Sequence, residues 1–268
     1  MPDDILKRID QNRAIISKHR PFDTPETLKA IREYYDAGLV WSSNALEGFS
    51  YTMSETELLM REGIVTGGKR YRDTCAVVNL KKALDSMYGL APAREVTESD
   101  ILEFHRLLGD SLGNDAVLGA YRDARVYVGD EELPMPEKVP GMLSGFYGFL
   151  ENERERHHPA VFAALAHLKF VAIHPFADGN GRVSRMILNT VLIQNGYLPV
   201  TIVPAEHRRY NEAIRSSKQH DLGGEFVTFI CQKESDSQKD FIRFMKFDPR
   251  PADGTGKPAR RGQRRPKP

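Results

Sequence analysis

The segment His174-Pro175-Phe176-Ala177-Asp178-Gly179-Asn180-Gly181-Arg182-Val183-Ser184-Arg185 puts a base, a carboxylate, a glycine-rich turn and two arginines side by side. These residue types at this spacing suit phosphate chemistry. His174 is a candidate general base, because imidazole titrates near neutrality and can take a proton from an attacking hydroxyl. Asp178 offers the single carboxylate that suits Mg²⁺, which fills the rest of its shell with water and substrate phosphates. Arg182 and Arg185, three positions apart, can share a helix face and fork onto phosphate oxygens. Taken singly these are ordinary residues: a histidine ending a helix, an Asp-Gly turn, a solvated basic face. Only their order together points to chemistry.

The flanking sequence supplies the elements that must position them. From Ala160 to Ile173 the chain is rich in Ala, Val, Leu and Phe with no Gly or Pro, which predicts a helix buried on most sides. It should stop at His174-Pro175, since a residue before proline is pushed out of the α region. A second helix is expected from near Gly181, with Met186, Ile187, Val191 and Leu192 as its apolar stripe and Gly196 as its C-terminal stop. Asp178 to Gly181 then forms the connecting loop, whose glycines let backbone N–H groups turn toward an anion at the positive end of the second helix.

In these residues the sequence resembles the Fic (Fido) family, whose pattern is His-Pro-Phe, any residue, Asp or Glu, Gly-Asn-Gly or Gly-Asn-Lys, Arg, two free positions and Arg. Every fixed position is met. The resemblance implies transfer of AMP from ATP to a protein hydroxyl on Tyr, Thr or Ser with release of pyrophosphate. His174 would act as base and Asp178 would hold Mg²⁺. Gly179, Asn180 and Gly181 would line the anion hole, and Arg182 and Arg185 would hold the rest of the triphosphate. The resemblance extends over residues 21–244. It also leaves three other activities open: removal of AMP by the same residues, another phosphate-containing donor, and a non-catalytic nucleotide-sensing module.

More than a hundred residues upstream, Thr24-Pro25-Glu26 reads as a helix start, and Leu28, Ile31, Tyr35 and Leu39 continue toward Ser43-Asn44-Ala45-Leu46-Glu47-Gly48. Gly48 should end that helix. Glu47 then stands in the last turn, where a negative charge opposes the helix dipole by ~0.3–1 kcal/mol unless a cation answers it. Ser43, Glu47 and Gly48 match the family's inhibitory motif, which implies that Glu47 pairs with Arg185 and displaces the γ-phosphate. The chain departs from many relatives at Phe49, where an Asn soon after the glutamate is common; a local change in packing is expected.

Between the two motifs, Arg125-Val126-Tyr127-Val128, the turn Gly129-Asp130-Glu131-Glu132 and the extended Leu133-Pro134-Met135-Pro136 predict a β-hairpin. By resemblance this is the flap, which would register an unknown protein target by strand addition. Tyr210 and Asn211 lie either near the adenine or in helix packing. His105 and His167, on apolar helical faces, read as core residues before ligands.

The expected fold is mainly α, about eight to ten helices with the hairpin at the mouth of the site. Residues 1–95 are expected to form an N-terminal helical region with the inhibitory motif, 96–235 the catalytic domain, 236–248 a helical end and 249–268 a disordered basic tail. That tail holds seven Lys and Arg against Asp253 alone. With no winged-helix pattern, no sequence-specific nucleic-acid partner is expected, and no apolar run long enough for a membrane occurs among the 268 residues. Two cysteines are too few for a disulfide framework or zinc site. Without a signal-peptide pattern at Met1, a cytoplasmic enzyme is expected. The family often forms dimers that tune inhibition, so a homodimer is a further expectation.

Overall fold

A computed structural model of the protein describes residues 3–19, 25–93, 95–113, 116–129, 131–217 and 224–245. Among them the helices run α1 (Asp3–Ser17), α2 (Pro25–Ala45), α3 (Met53–Glu62), α4 (Tyr71–Gly89), α5 (Glu98–Leu108), α6 (Val139–Asn152), α7 (Pro159–Ile173), α8 (Asn180–Gln194), α9 (His207–Ser217) and α10 (Gly224–Met245), with a hairpin of β1 (Tyr127–Val128) and β2 (Glu131–Glu132). The mainly α architecture expected from the sequence is therefore present.

The centre of the fold is the α7–α8 pair. His158 caps α7 through its imidazole, Pro159 occupies the first turn, and the helix is buried from Ala160 through Leu168 and again at Phe170 and Ile173. Small alanines alternating with Phe and Leu allow α6, α8 and α10 to pack around it. Each of its large side chains contributes roughly 1.5–3 kcal/mol by leaving water. This apolar collar makes the α7–α8 connection a fixed corner on which polar groups can be placed.

Three other helices deliver residues to that corner. α2 packs against α3, α4 and α8 and carries its C-terminal turn to the start of α8. α4 packs on α5 and α8. Thr97 and Asp100 form a reciprocal capping box that starts α5, the helix that carries His105 under the corner.

One expected boundary fails. Residues 235 and 236 fall inside the continuous helix α10, so no separate C-terminal piece begins there. The apolar stripe of α10, with Phe226, Val227, Ile230 and Phe241 buried, crosses the expected division and binds it to α1, α7 and α9. Thr24 and residues 246–268, which include the basic tail, lie outside the described residues. No helix among the described residues is long and apolar enough to cross a membrane.

Candidate active site

The site is built on the α7–α8 corner. Proline at 175 denies His174 the right-handed helical region, and His174 takes φ 52° and ψ 58°, the left-handed region, while its N–H still closes on the Phe170 carbonyl at 3.0 Å. It is the single non-glycine residue with positive φ among those described, a conformation that costs about 1–2 kcal/mol. The surrounding contacts hold it there. Arg122 is buried and donates from Nε to the His174 carbonyl at 2.8 Å, and its backbone N–H donates to the Pro175 carbonyl at 2.8 Å.

The loop beyond is locked from beneath. The His105 ring stacks on Phe176 with centroids 3.8 Å apart. Its Nδ1 accepts the Gly119 N–H at 3.0 Å, so the proton sits on Nε2, which donates to the Asp178 carbonyl at 3.1 Å. Burial pushes His105 down to about 4, keeping the ring neutral and this tautomer fixed. Gly179 adopts φ 82°, and a Cβ there would overlap Leu112 and Leu108. His105 is thus the core histidine expected, with the added task of shaping the loop.

α8 starts one residue before the expected Gly181, and its N-cap Gly179 offers no side-chain cap to the first turn. The positive helix end is left for an anion. The expected part of Asn180 in the anion hole falls to its backbone. Its carbonyl accepts the Phe176 N–H at 2.9 Å and its amide donates to the Phe176 carbonyl at 2.8 Å, so the side chain is spent inside the loop and only its backbone N–H is offered to a ligand.

Arg182 and Arg185 are both buried. Arg182 donates from Nη1 to Ser111 Oγ at 2.8 Å, holds Nη2 at 3.7 Å from Asp178 Oδ1, and leaves Nε without a hydrogen-bond partner. Burial pushes its pKa down. Arg185 donates from Nε to Ser43 Oγ at 2.9 Å and from Nη2 to the Ser43 carbonyl at 2.9 Å and to Glu47 Oε1 at 2.7 Å. Burial opposes its charge, yet the Glu47 carboxylate and the Tyr210 hydroxyl hold its pKa above the usual arginine value.

The Ser43 and Glu47 partners come from the end of α2. After Ala45 the chain closes with Glu47 N–H on the Asn44 carbonyl and Gly48 N–H on the Ala45 carbonyl, and Gly48 takes φ 82°. Glu47 lies against the first turn of α8 so closely that a Cβ on Gly181 would overlap its carboxylate. The cation that answers Glu47 is the buried Arg185, and the carboxylate lies beside the first turn of α8.

Asp178 is the one acidic residue of the motif. Its Oδ2 accepts the Gly113 N–H at 2.7 Å and Arg72 Nη2 at 3.0 Å, and its Oδ1 accepts the Gly179 N–H at 2.6 Å. Among the described residues no group of three or more His, Cys, Asp or Glu could cage a metal. A lone carboxylate with a cation already seated on it fits a Mg²⁺ whose other ligands are water and phosphate.

The hairpin is present with a shorter turn than expected. Tyr127 pairs with Glu132 and Val128 with Glu131, so the second strand is Glu131–Glu132 and the segment 133–136 leads away from the pairing. Gly129 at φ 57° makes the tight turn possible; Asp130 lies outside the described residues. Tyr127 and Val128 are exposed, and Arg122 ties the hairpin stems to the corner by donating to the Ala124 and Pro134 carbonyls. Arg125 and Val126 precede the pairing. Tyr210 sits in the core: its ring packs on His167 and Phe226, its hydroxyl meets His167 Nε2 at 2.8 Å, and it stands behind Arg185. This is the helix-packing alternative. Asn211, its neighbour, is half-buried.

Sequence reasoning missed Arg72 and Arg122. Arg122 stands just ahead of the hairpin and Arg72 is one of several basic residues between 69 and 72; the groups that tie them to the corner, the His174 and Pro175 carbonyls for Arg122 and Asp178 for Arg72, lie far along the sequence.

Residues 95–192 match the model of the Fic/DOC family. The chain belongs to the Fic/DOC family. It is 32% identical over 233 residues to a Nematostella vectensis protein named protein adenylyltransferase Fic, covering 85% of this chain and 53% of that one. The chain therefore spans about half the length of the curated relatives it matches. A Fic-1 segment from C. elegans superimposes with a TM-score of 0.79 at 27% identity, over 91% of this chain and 72% of that one. A Fic-domain signalling protein from Bacteroides thetaiotaomicron shares the fold with a TM-score of 0.81 at 24% identity, over 89% of this chain and 97% of its own.

Proposed function

We propose that the protein is an auto-inhibited protein adenylyltransferase that moves AMP from ATP onto a Ser, Thr or Tyr hydroxyl of a protein target. The observation that carries this reading is the Glu47 carboxylate, lodged against Gly181 at the open end of α8 and bonded to Arg185 at 2.7 Å. The carboxylate stands beside the first turn of α8 on an arginine that could otherwise meet a phosphate, and His174 stands at the other end of the same loop.

In the transfer, His174 takes the proton of the target hydroxyl as its oxygen attacks the α-phosphorus. The bond from that phosphorus to the oxygen bridging to the β-phosphate breaks, and pyrophosphate leaves. The N–H groups of the first turn of α8 stabilise the added charge, and Arg182 and Arg185 hold the outer phosphates. Mg²⁺ on Asp178 would neutralise phosphate charge. With Glu47 on Arg185, that arginine is withheld from the γ-phosphate. The exposed strand Tyr127–Val128 supports a flap that receives an extended target segment. Cys75 and Cys231 are unpaired thiols, which fits the cytoplasm as the place of action.

The test incubates wild type and Glu47→Gly with Mg²⁺ and ATP labelled at the α- or the γ-phosphate and reads label on protein. The expected result is label from the α position only, at least about tenfold stronger in the variant. Label from the γ position, or from neither, would overturn the reading. Release of AMP from a modified protein by wild type alone would replace it with AMP removal.

A further inference from the structure

The segment after Glu47 makes a second set of contacts with the phosphate side of the site. Phe49 lies beneath two guanidinium groups, with Arg72 5.4 Å and Arg182 5.2 Å from its ring centroid. Ser50 is fastened to the first turn of α4: its N–H donates to Asp73 Oδ2 at 3.1 Å and its hydroxyl donates to the same oxygen. Lys69 Nζ adds a bond to the Ser50 carbonyl at 2.7 Å. The inhibitory turn and the start of α4 are therefore fastened to one another as one piece. Arg72 projects from that piece, donating from Nε to the Ser111 carbonyl at 2.9 Å and from Nη2 to Asp178 at 3.0 Å.

We propose that Arg72 is a second internal brake, a tethered cation that competes with Mg²⁺ for Asp178 and is coupled to Glu47 through Phe49 and the Ser50–Asp73 clamp. This rests on the transferase reading. The competition is chemically even-handed: Arg72 and a divalent cation seek the same carboxylate oxygen, and one excludes the other. The Arg72 and Asp178 side chains are 50% and 32% exposed, so the pair is weak enough for an arriving metal-bound nucleotide to displace. The two brakes act on opposite charges. Glu47 withholds an arginine from phosphate, and Arg72 withholds a carboxylate from the metal. Phe49, stacked on Arg72 and Arg182, joins them, so leaving one contact loosens the other. If Arg72 covers Asp178 in about nine molecules of ten, apparent metal affinity is reduced about tenfold.

The experiment measures Mn²⁺ binding to the full chain saturated with ADP, following free Mn²⁺ by electron paramagnetic resonance, after ADP binding has been measured in EDTA. Wild type, Arg72→Gln, Phe49→Ala and Asp178→Asn are compared, with thermal melting of each. Arg72→Gln is expected to bind Mn²⁺ roughly three- to tenfold more tightly with ADP affinity in EDTA unchanged. Phe49→Ala, which keeps both charged partners, should shift affinity the same way by a smaller factor, and Asp178→Asn should abolish the site. Unchanged or weaker Mn²⁺ binding in Arg72→Gln would overturn the inference, as would an unmoved Phe49→Ala if Arg72→Gln fails to fold. These outcomes leave the transferase reading intact. ADP binding by none of the proteins would instead bring down that reading and this one with it.

Discussion

The corner from His174 to Arg185 and the hairpin from Arg125 to Pro134 lie on either side of Arg122, and they are held in opposite ways. At the corner nearly every polar group has a fixed partner: His105 under Asp178, Asn180 clasping Phe176, Arg182 on Ser111, Arg185 on Ser43 and Glu47. The hairpin has two paired residues per strand, its first strand exposes Tyr127 and Val128, and Arg122 grips only its stems. On the proposed reading the difference separates two tasks. Nucleotidyl transfer at phosphorus needs groups that do not reorganise, whereas reading an extended partner needs free backbone edges and tolerates loose side chains.

The strongest way to break this contrast is at the base. His174→Ala in the Glu47→Gly background should cost at least about 100-fold in transfer of α-phosphate label, since general-base catalysis contributes about 10²–10⁴. If the double variant keeps its activity, the corner is not where the proton goes. Next in size, Arg122→Ala removes the link between the regions. Charge-assisted bonds are worth ~1.5–3 kcal/mol each, so transfer to a protein target should fall about tenfold or more, with faster hydrogen exchange across residues 123–135.

Acid should soften the corner next. His105 is pushed down to about 4 and His167 to about 3, both by burial, from an ordinary 6.5. The unfolded chain takes up these protons below about 6.5 while the folded chain refuses them. Their contribution is complete above that pH and is lost as pH falls toward 4 and then 3, by up to about 3 kcal/mol for His105. Urea unfolding between pH 7 and pH 4 would show it, and His105→Gln should flatten the slope. Smallest of all, Tyr127→Ala should change transfer by less than about threefold, because backbone pairing sets the register; a tenfold loss would make the flap a side-chain reader.

The sequence was most legible where structure is local. The burial of α7, its stop before Pro175 and the start of α8 all follow from periodicity and proline sterics over a few turns. Glu47 on Arg185 was legible across 138 positions only because a motif linked the two; the dipole argument asked for a cation without naming it. Arg72 on Asp178 had no such guide, since its partner is 106 positions away and any of several basic residues could have served. The hairpin was found with the wrong turn: Glu131 and Glu132, poor strand formers, pair because Gly129 lets the chain reverse early. The clasp of the Asn180 side chain on Phe176 was not legible, because an amide that can reach a phosphate can equally pair with its own loop.

The placement of Glu47 against Gly181 has a consequence for ligand-dependent melting. The Glu47 carboxylate and an incoming triphosphate that uses Arg185 would compete for the same guanidinium, and only one can hold it at a time. Nucleotide should therefore raise the melting temperature of Glu47→Gly more than that of wild type, because in wild type each bound nucleotide must first forfeit the stabilisation Glu47 already provides. Added ATP would then narrow the gap in melting temperature between the two proteins, and saturation would bring them closest.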